Sequence, residues 1–117
     1  MPKSDVTAPK ERDVLRQVLD LLTLLKIRHW RQNCGAVRRG DRYVRFGVKG
    51  LPDVIAVAPR GPRRGLFIGL EVKAPGGRLR PEQRAVLDNL TEDGALALVV
   101  RSPEELLAAL RLEGVIL

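Results

Sequence analysis

Apolar residues recur at every third and fourth position along the first part of the chain, which is the spacing of an amphipathic helix. Between residue 10 and about residue 26, these positions are Val14, Leu15, Val18, Leu19, Leu22 and Leu25. Leu21 and Leu24 widen the apolar stripe, so we expect this helix to be buried on more than one side. Residues 1–8 lack the pattern, and we expect them to form a flexible tail.

The centre of the chain carries strand signals instead. Gly40-Asp41 separates two short runs and predicts a hairpin that pairs residues 36–39 with residues 42–46. The basic segment over residues 27–35 is expected to be irregular or briefly extended. Further apolar runs of strand length cover residues 53–57, 66–73 and 95–100.

Two more helices accompany these strands. Pro81 suits the first position of a helix that runs to about Leu90. Ser102 and Glu105 form a capping-box pattern for a helix that ends near Leu112. The order α, β, β, β, β, α, β, α predicts an α/β fold in one domain over residues 1–117, with a mixed sheet flanked by helices.

The charge of the chain is strongly positive and unevenly distributed. Its formal net charge is +7 and its pI is about 10.5. Residues 26–84 hold 15 of the 21 Lys and Arg residues but only four acids. Such one-sided charge indicates a polyanionic partner, although it is also compatible with a merely solubilising surface. The candidate DNA-binding residues are Arg38, Arg39, Arg42, Arg45, Lys49, Arg78 and Arg80.

Composition also excludes several classes of protein. No apolar run approaches the roughly 18 residues of a membrane span, and the first ten residues lack the apolar stretch of a secretory signal. The single cysteine, Cys34, excludes an internal disulfide and a zinc site of several cysteines. We therefore expect a cytoplasmic protein, in a bacterium or a phage-infected cell, whose metal ligands are oxygen atoms.

Three ionisable residues stand at the ends of two apolar strands. If the strands pair antiparallel about the centre of the loop at residues 58–65, Asp53 lies opposite Glu71. Lys73 then shares a face with Glu71, because side chains two apart on a strand point the same way. A slip of one residue would separate them, and each residue taken alone is typical of an ordinary turn or exposed pair.

Two facing carboxylates repel each other unless a cation lies between them. Asp53, Glu71 and a backbone carbonyl suit Mg²⁺ or Mn²⁺, and Lys73 is placed to stabilise charge that develops during phosphodiester hydrolysis. The loop Ala74-Pro75-Gly76-Gly77 that follows leaves room for a phosphate backbone. Gln83, in the first turn of the next helix, is a further candidate for the same site.

At these residues the chain resembles a known family. The stretches GVKGLPDVIAV and LEVKAPGGRLRPEQ are similar to the virus-type replication-repair nuclease domain, a branch of the PD-(D/E)xK nuclease superfamily. The resemblance runs from Glu11 to about Val100. It implies a restriction-endonuclease-like αβββαβ core, into which we count the early hairpin, and Mg²⁺- or Mn²⁺-dependent cleavage of DNA.

The resemblance also implies site residues. Asp53, Glu71 and the carbonyl of Val72 would bind the metal, Lys73 would be the catalytic lysine, and Gln83 would match the helical glutamine. Glu11 would match the acid of the first helix, either as a metal ligand or as an ordinary acid favoured by the helix dipole.

Small members of this family resemble phage enzymes that cut branched DNA, including four-way (Holliday) junctions, as homodimers. We therefore expect a structure-specific endonuclease in DNA repair, with the first helix as the first candidate for the dimer surface. The alternatives are a non-catalytic DNA-binding protein on a nuclease-like fold and a sequence-specific restriction-type enzyme.

Overall fold

A computed structural model of the protein describes residues 8–32, 35–46 and 49–117. Within these ranges the helices are α1 (Glu11–Leu24), α2 (Pro81–Glu92) and α3 (Pro103–Leu112). The strands are β1 (Arg28–Arg31), β2 (Gly35–Arg39), β3 (Arg42–Phe46), β4 (Val54–Val57), β5 (Phe67–Val72) and β6 (Leu96–Val100).

Four of the strands form one mixed sheet in the order β1-β4-β5-β6. The β1–β4 and β4–β5 pairs are antiparallel, whereas β5 and β6 are parallel because α2 connects them. The predicted mixed sheet flanked by helices is confirmed.

The assignment of strands to the core is the main correction. The predicted hairpin forms, with Gly40 at a positive φ of 63° in its turn, but β2 and β3 make a separate two-stranded sheet. The strand that completes the αβββαβ core is β1, in the segment expected to be irregular or briefly extended. Because β1 is an edge strand held by backbone pairing to β4, its mostly exposed sequence Arg-His-Trp-Arg needs no apolar alternation.

The core lies between α1, α3 and one face of the sheet. Val14, Val18 and Leu22 of α1 are fully buried, which confirms the amphipathic stripe. They belong to one apolar cluster with Ile68 and Leu70 of β5, and burial of each such side chain contributes roughly 1.5–3 kcal/mol.

The outer edge of the α1 stripe differs from the prediction. Leu21 packs against the core, whereas Leu24, at the last turn of α1, is 78% exposed. A helix buries only the residues that face the sheet and α3, so Leu24 extends beyond the covered surface. The positions of α1 that face the sheet and α3 are therefore used within the chain, and α1 as the dimer surface stays a prediction.

The caps of the later helices are close to prediction. Pro81 opens α2 and Pro103 opens α3. Ser102 Oγ accepts a hydrogen bond from the backbone N–H of Glu105 over 3.1 Å. The Glu105 carboxylate accepts from the backbone N–H of Arg101 over 2.7 Å, one residue before the predicted partner Ser102. In the ranges described, every helix is too short or too polar to cross a lipid bilayer.

Candidate active site

The register of β4 and β5 brings Asp53 to the end of Glu71's strand. Val54 pairs with Leu70, as the loop symmetry predicts, so Asp53 and Glu71 are the next residues along the two strands. Asp53 Oδ2 accepts a hydrogen bond from the backbone N–H of Val72 over 2.7 Å. The backbone carbonyl of Asp53 accepts from Gln32 N, also over 2.7 Å. Asp53 is thus fixed between β1 and β5.

Glu71 and Lys73 are the two buried polar side chains among the described residues. Glu71 is 1% exposed and Lys73 is 7% exposed. They share one side of the sheet with Gly69, because positions two apart on a strand point the same way. This side faces α2, since a Cβ on Gly69 would touch Leu90 of α2 as well as Pro52. Burying a charge is costly unless it is paired, so the two residues require partners.

The partners of Glu71 are incomplete. Gln83 Nε2 donates a hydrogen bond to Glu71 Oε1 over 3.0 Å, whereas Glu71 Oε2 is buried and has no hydrogen-bond partner within the described part of the chain. The pKa of Glu71 is raised from 4.5 to about 8, first by burial of the carboxyl group and second by the negative charge of Asp53. Lys73 partly opposes both effects.

Lys73 is held from two sides. Its backbone N–H donates to the carbonyl of Val100 over 3.0 Å, which continues the parallel pairing of β5 with β6. Its Nζ lies 4.0 Å from Glu11 Oε1 at the start of α1. Glu11, whose side chain is 56% exposed, therefore lies beside Lys73, one of the site residues that the resemblance implies.

A cleft of about 320 Å³ opens over this group. Its lining from α1 and the end of β1, which we call the α1–β1 wall, consists of Glu11, Arg12, Leu15, Arg31 and Gln32. Its lining from the loop before β4 and the start of α2 consists of Lys49, Gly50, Leu51, Arg80, Glu82 and Gln83. Asp53 and Val72 also line it. A reactant in this cleft would meet the carboxylates of Glu11, Asp53 and Glu82 directly. The buried Glu71 and Lys73 lie on either side of Val72, which also lines the cleft.

The family model of the VRR-NUC domain matches residues 5–104, which include every residue of the candidate site. The chain belongs to the VRR-NUC domain family. This is a nuclease family, and DNA is the substrate class that it implies. A comparison with curated proteins found no match.

Gly50 explains one motif of this VRR-NUC domain, the Gly-Leu-Pro-Asp turn. Its φ is +87°, and a Cβ at this position would lie 2.8 Å from the backbone oxygen of Glu82 in α2. Only glycine allows the chain to pass this close to α2. The contact fixes the loop that leads to Asp53, and it carries Lys49 to within 4.0 Å of the Glu82 carboxylate.

Gln83 links the first turn of α2 to β5. Its Oε1 accepts from the backbone N–H of Arg80 over 2.9 Å, and its Nε2 donates to Glu71. Both halves of the amide are therefore used, which sets the orientation of the Glu71 carboxylate.

The predicted DNA-binding residues fall in two places. Lys49 and Arg80 line the cleft, whereas Arg78 is exposed but does not. Arg38, Arg39 and Arg42 are exposed on the β2–β3 hairpin, where the Arg38 guanidinium lies 5.9 Å from the centre of the Tyr43 ring. The side chain of Arg45 lies outside the described residues.

Sequence reasoning missed three arginines near the site. Arg12 and Arg31 line the cleft, and Arg101 Nη2 donates to the carbonyl of Gly77 over 2.9 Å, which anchors the loop after Lys73. The basic segment around Arg31 could have indicated a DNA contact from the sequence alone. The position of Arg101 beside Lys73 depends on the β5–β6 register, which the sequence did not reveal.

The donor set suits a hard divalent cation. Within the described ranges, no three His, Cys, Asp or Glu side chains form a metal-binding cluster. The fit comes from the carboxylates of Asp53 and Glu71 together with the carbonyl of Val72, which is an all-oxygen set. The unpartnered, buried Oε2 of Glu71 is the observation that such an ion would explain.

Proposed function

We propose that this protein is a divalent-metal-dependent endodeoxyribonuclease that hydrolyses phosphodiester bonds. The observation that carries the proposal is Glu71, a buried carboxylate with one unpartnered oxygen beside Asp53 and Lys73. A purely structural carboxylate at such a position would have its hydrogen bonds satisfied. A carboxylate that awaits a cation leaves an oxygen available.

Each residue has a role that follows from its contacts. Asp53, Glu71 and the Val72 carbonyl would hold Mg²⁺ or Mn²⁺, and Glu11 is close enough to Lys73 to contribute to the same site. When bound, the cation neutralises charge on the phosphate oxygens and makes water more acidic. The Lys73 ammonium donates hydrogen bonds toward developing negative charge, and Gln83 orients Glu71.

The DNA-binding surface is proposed to join the cleft and the hairpin. Lys49 and Arg80 lie at the cleft, close to the cleaved bond. Arg38, Arg39 and Arg42 are exposed on a separate two-stranded sheet, and Arg45 and Arg78 complete the proposed set. Exposed arginines on the β2–β3 hairpin suit contacts with the phosphate backbone, which depend on charge and not on base sequence.

We further propose branched DNA as the substrate and a homodimer as the active form, in the cytoplasm. A four-way junction presents two equivalent strands, and a two-fold dimer provides two equivalent centres to cut them. The net charge of +7 favours a substrate that presents several phosphate backbones at once.

The proposal is tested with labelled four-way junction, flap and linear duplex DNA in Mg²⁺, with EDTA as the control. We expect junction cleavage that requires the cation, and a Lys73→Ala protein that binds DNA but cuts at least about 100-fold more slowly. Lys26→Ala, a change at an exposed lysine after α1, should cut normally. Binding without cleavage by the wild type would instead support the non-catalytic alternative, and a monomeric mass with bound junction would refute the dimer.

A further inference from the structure

Two arginines on the α1–β1 wall of the cleft have no role in the function proposed above. Arg12 follows Glu11 in the first turn of α1, and Arg31 is the last residue of β1. Arg31 pairs with Val54, which is the neighbour of Asp53. Two consecutive elements of the chain thus bring two arginines to the lining of one cleft.

The guanidinium groups of Arg12 and Arg31 are available to a ligand in the cleft. Among the described residues, neither Arg12 nor Arg31 forms an ion pair or a side-chain hydrogen bond, although the acids Glu11, Asp53 and Glu82 line the same cleft. Other arginines either have partners within the chain, as Arg16 and Arg101 do, or are exposed outside the cleft, as Arg64 and Arg78 are. The distinguishing feature of Arg12 and Arg31 is therefore their place in the cleft lining.

We propose that Arg12 and Arg31 form a binding subsite for a single DNA phosphate, next to the phosphate that is cleaved. A guanidinium group presents paired donors that match two oxygens of a phosphate. The lining from the loop before β4 and the start of α2 already carries Lys49 and Arg80 together with Gln83, which contacts Glu71. The α1–β1 wall is therefore placed to hold the strand on the other side of Asp53, so that the scissile bond is fixed between two charged walls.

This subsite rests on the proposed function, since its ligand is the DNA that is cut. Binding and cleavage are therefore measured apart. All binding assays use Lys73→Ala protein in Mg²⁺ and a short fluorescent duplex, and the affinity is followed by fluorescence anisotropy over a range of salt concentrations. The variants are Arg12→Gln and Arg31→Gln, with Arg16→Gln and Arg64→Gln as controls.

The controls are matched to the test residues. Arg16 lies one turn after Arg12 on α1 and outside the cleft lining, and exposed Arg64 lies in the loop at the other end of β4. We expect Arg12→Gln and Arg31→Gln each to lower the slope of log affinity against log salt, and the double variant to lower it by about 0.9, the value for one lost phosphate contact. Arg16→Gln and Arg64→Gln should keep the original slope.

A second measurement identifies the phosphate itself. A set of duplexes, each with one phosphate replaced by an uncharged methylphosphonate, is bound to the Lys73→Ala protein with and without Arg31→Gln. We expect one position at which neutralisation weakens binding to the parent protein but has a smaller effect when Arg31 is replaced. Arg12→Gln should reduce sensitivity at the same position, and the double variant should lose it.

The results separate the two proposals. Unchanged salt slopes in Arg12→Gln and Arg31→Gln, or methylphosphonate effects that add fully to those of the variants, would overturn the phosphate subsite while leaving cleavage intact. Absence of cleavage by the wild-type protein would refute the proposed nuclease activity. The coupling between Arg31 and one phosphate would remain measurable, because it requires binding only.

Discussion

The side-chain amide of Gln83 donates a hydrogen bond to Glu71 Oε1 over 3.0 Å and so links the first turn of α2 to the carboxylate that ends β5. Replacing Gln83 by Ala would leave Glu71 without its donor. Outer partners of metal ligands typically contribute 10- to 100-fold to metal affinity or activity. We therefore expect Gln83→Ala to weaken Mg²⁺ binding by about that factor in titration calorimetry.

The matched control is Asn89→Ala, which shortens an exposed amide on the same helix. Loss of the Gln83 contact should also cost about 1–3 kcal/mol of unfolding free energy, because it leaves a buried oxygen unpaired. Equal Mg²⁺ affinities in the two variants would show that Gln83 does not act on the metal site.

The raised pKa of Glu71 predicts how the metal-free protein responds to pH. With a pKa near 8 in the folded state against 4.5 as its ordinary value, Glu71 keeps a proton that the unfolded chain has released between these limits. Its contribution to stability is therefore full below about pH 4.5 and is lost as pH rises toward 8. The slope can reach about 1.4 kcal/mol per pH unit.

Urea unfolding in EDTA, followed through the single tryptophan Trp30, measures this slope at pH 5 to 8. Glu71→Gln has no carboxyl group to titrate and still offers an oxygen to Gln83, so its stability should depend less on pH than that of the wild type. Parallel pH profiles for the two proteins would contradict a raised pKa at Glu71.

Removal of the metal should destabilise the wild-type protein but not a variant that lacks a ligand. A ligand that binds only the folded state at 100 times its dissociation constant adds about 2.7 kcal/mol, so Mg²⁺ or Mn²⁺ should raise the melting temperature and EDTA should reverse the change. Asp53→Asn can still accept the hydrogen bond of Val72 but lacks the charge, and we expect no shift with either ion.

Asp20→Asn, which removes an exposed carboxylate on α1, is the control and should respond to the ions as the wild type does. A full thermal shift in Asp53→Asn would exclude Asp53 as a ligand.

Gly50 should be intolerant of any side chain. Gly50→Ala combines a φ of +87° with a Cβ 2.8 Å from the Glu82 backbone oxygen, whereas Gly61→Ala has a φ of +76° and open space around it. The positive φ alone costs about 1–2 kcal/mol, and forced displacement of the backbone adds about 1–3 kcal/mol at Gly50 only.

Chemical denaturation of the two alanine variants compares these costs. We expect Gly50→Ala to lose cleavage as well, because the loop that it displaces leads to Asp53. If Gly50→Ala and Gly61→Ala are equally stable, the close approach to α2 does not constrain the loop.

Local sequence patterns were enough to predict several elements of the fold. The apolar spacing of α1 predicted the burial of Val14, Val18 and Leu22, and the Gly40-Asp41 turn predicted the hairpin. β1 could not be recognised with the same certainty, because an edge strand is held by backbone hydrogen bonds and its side chains need no pattern. For the same reason the sequence did not show that the hairpin stays outside the main sheet.

The sequence by itself determined which chemical groups are present and, through the symmetry of the β4–β5 loop, that Asp53 would meet the end of Glu71's strand. Only the tertiary structure decided that Glu71 is buried with one oxygen unpartnered, that Glu11 reaches Lys73, and that Arg12 and Arg31 line the cleft. Side-chain spacing along one strand is a local property. Burial and the meeting of α1, β1 and α2 around one cleft depend on how distant segments pack, which no single segment encodes.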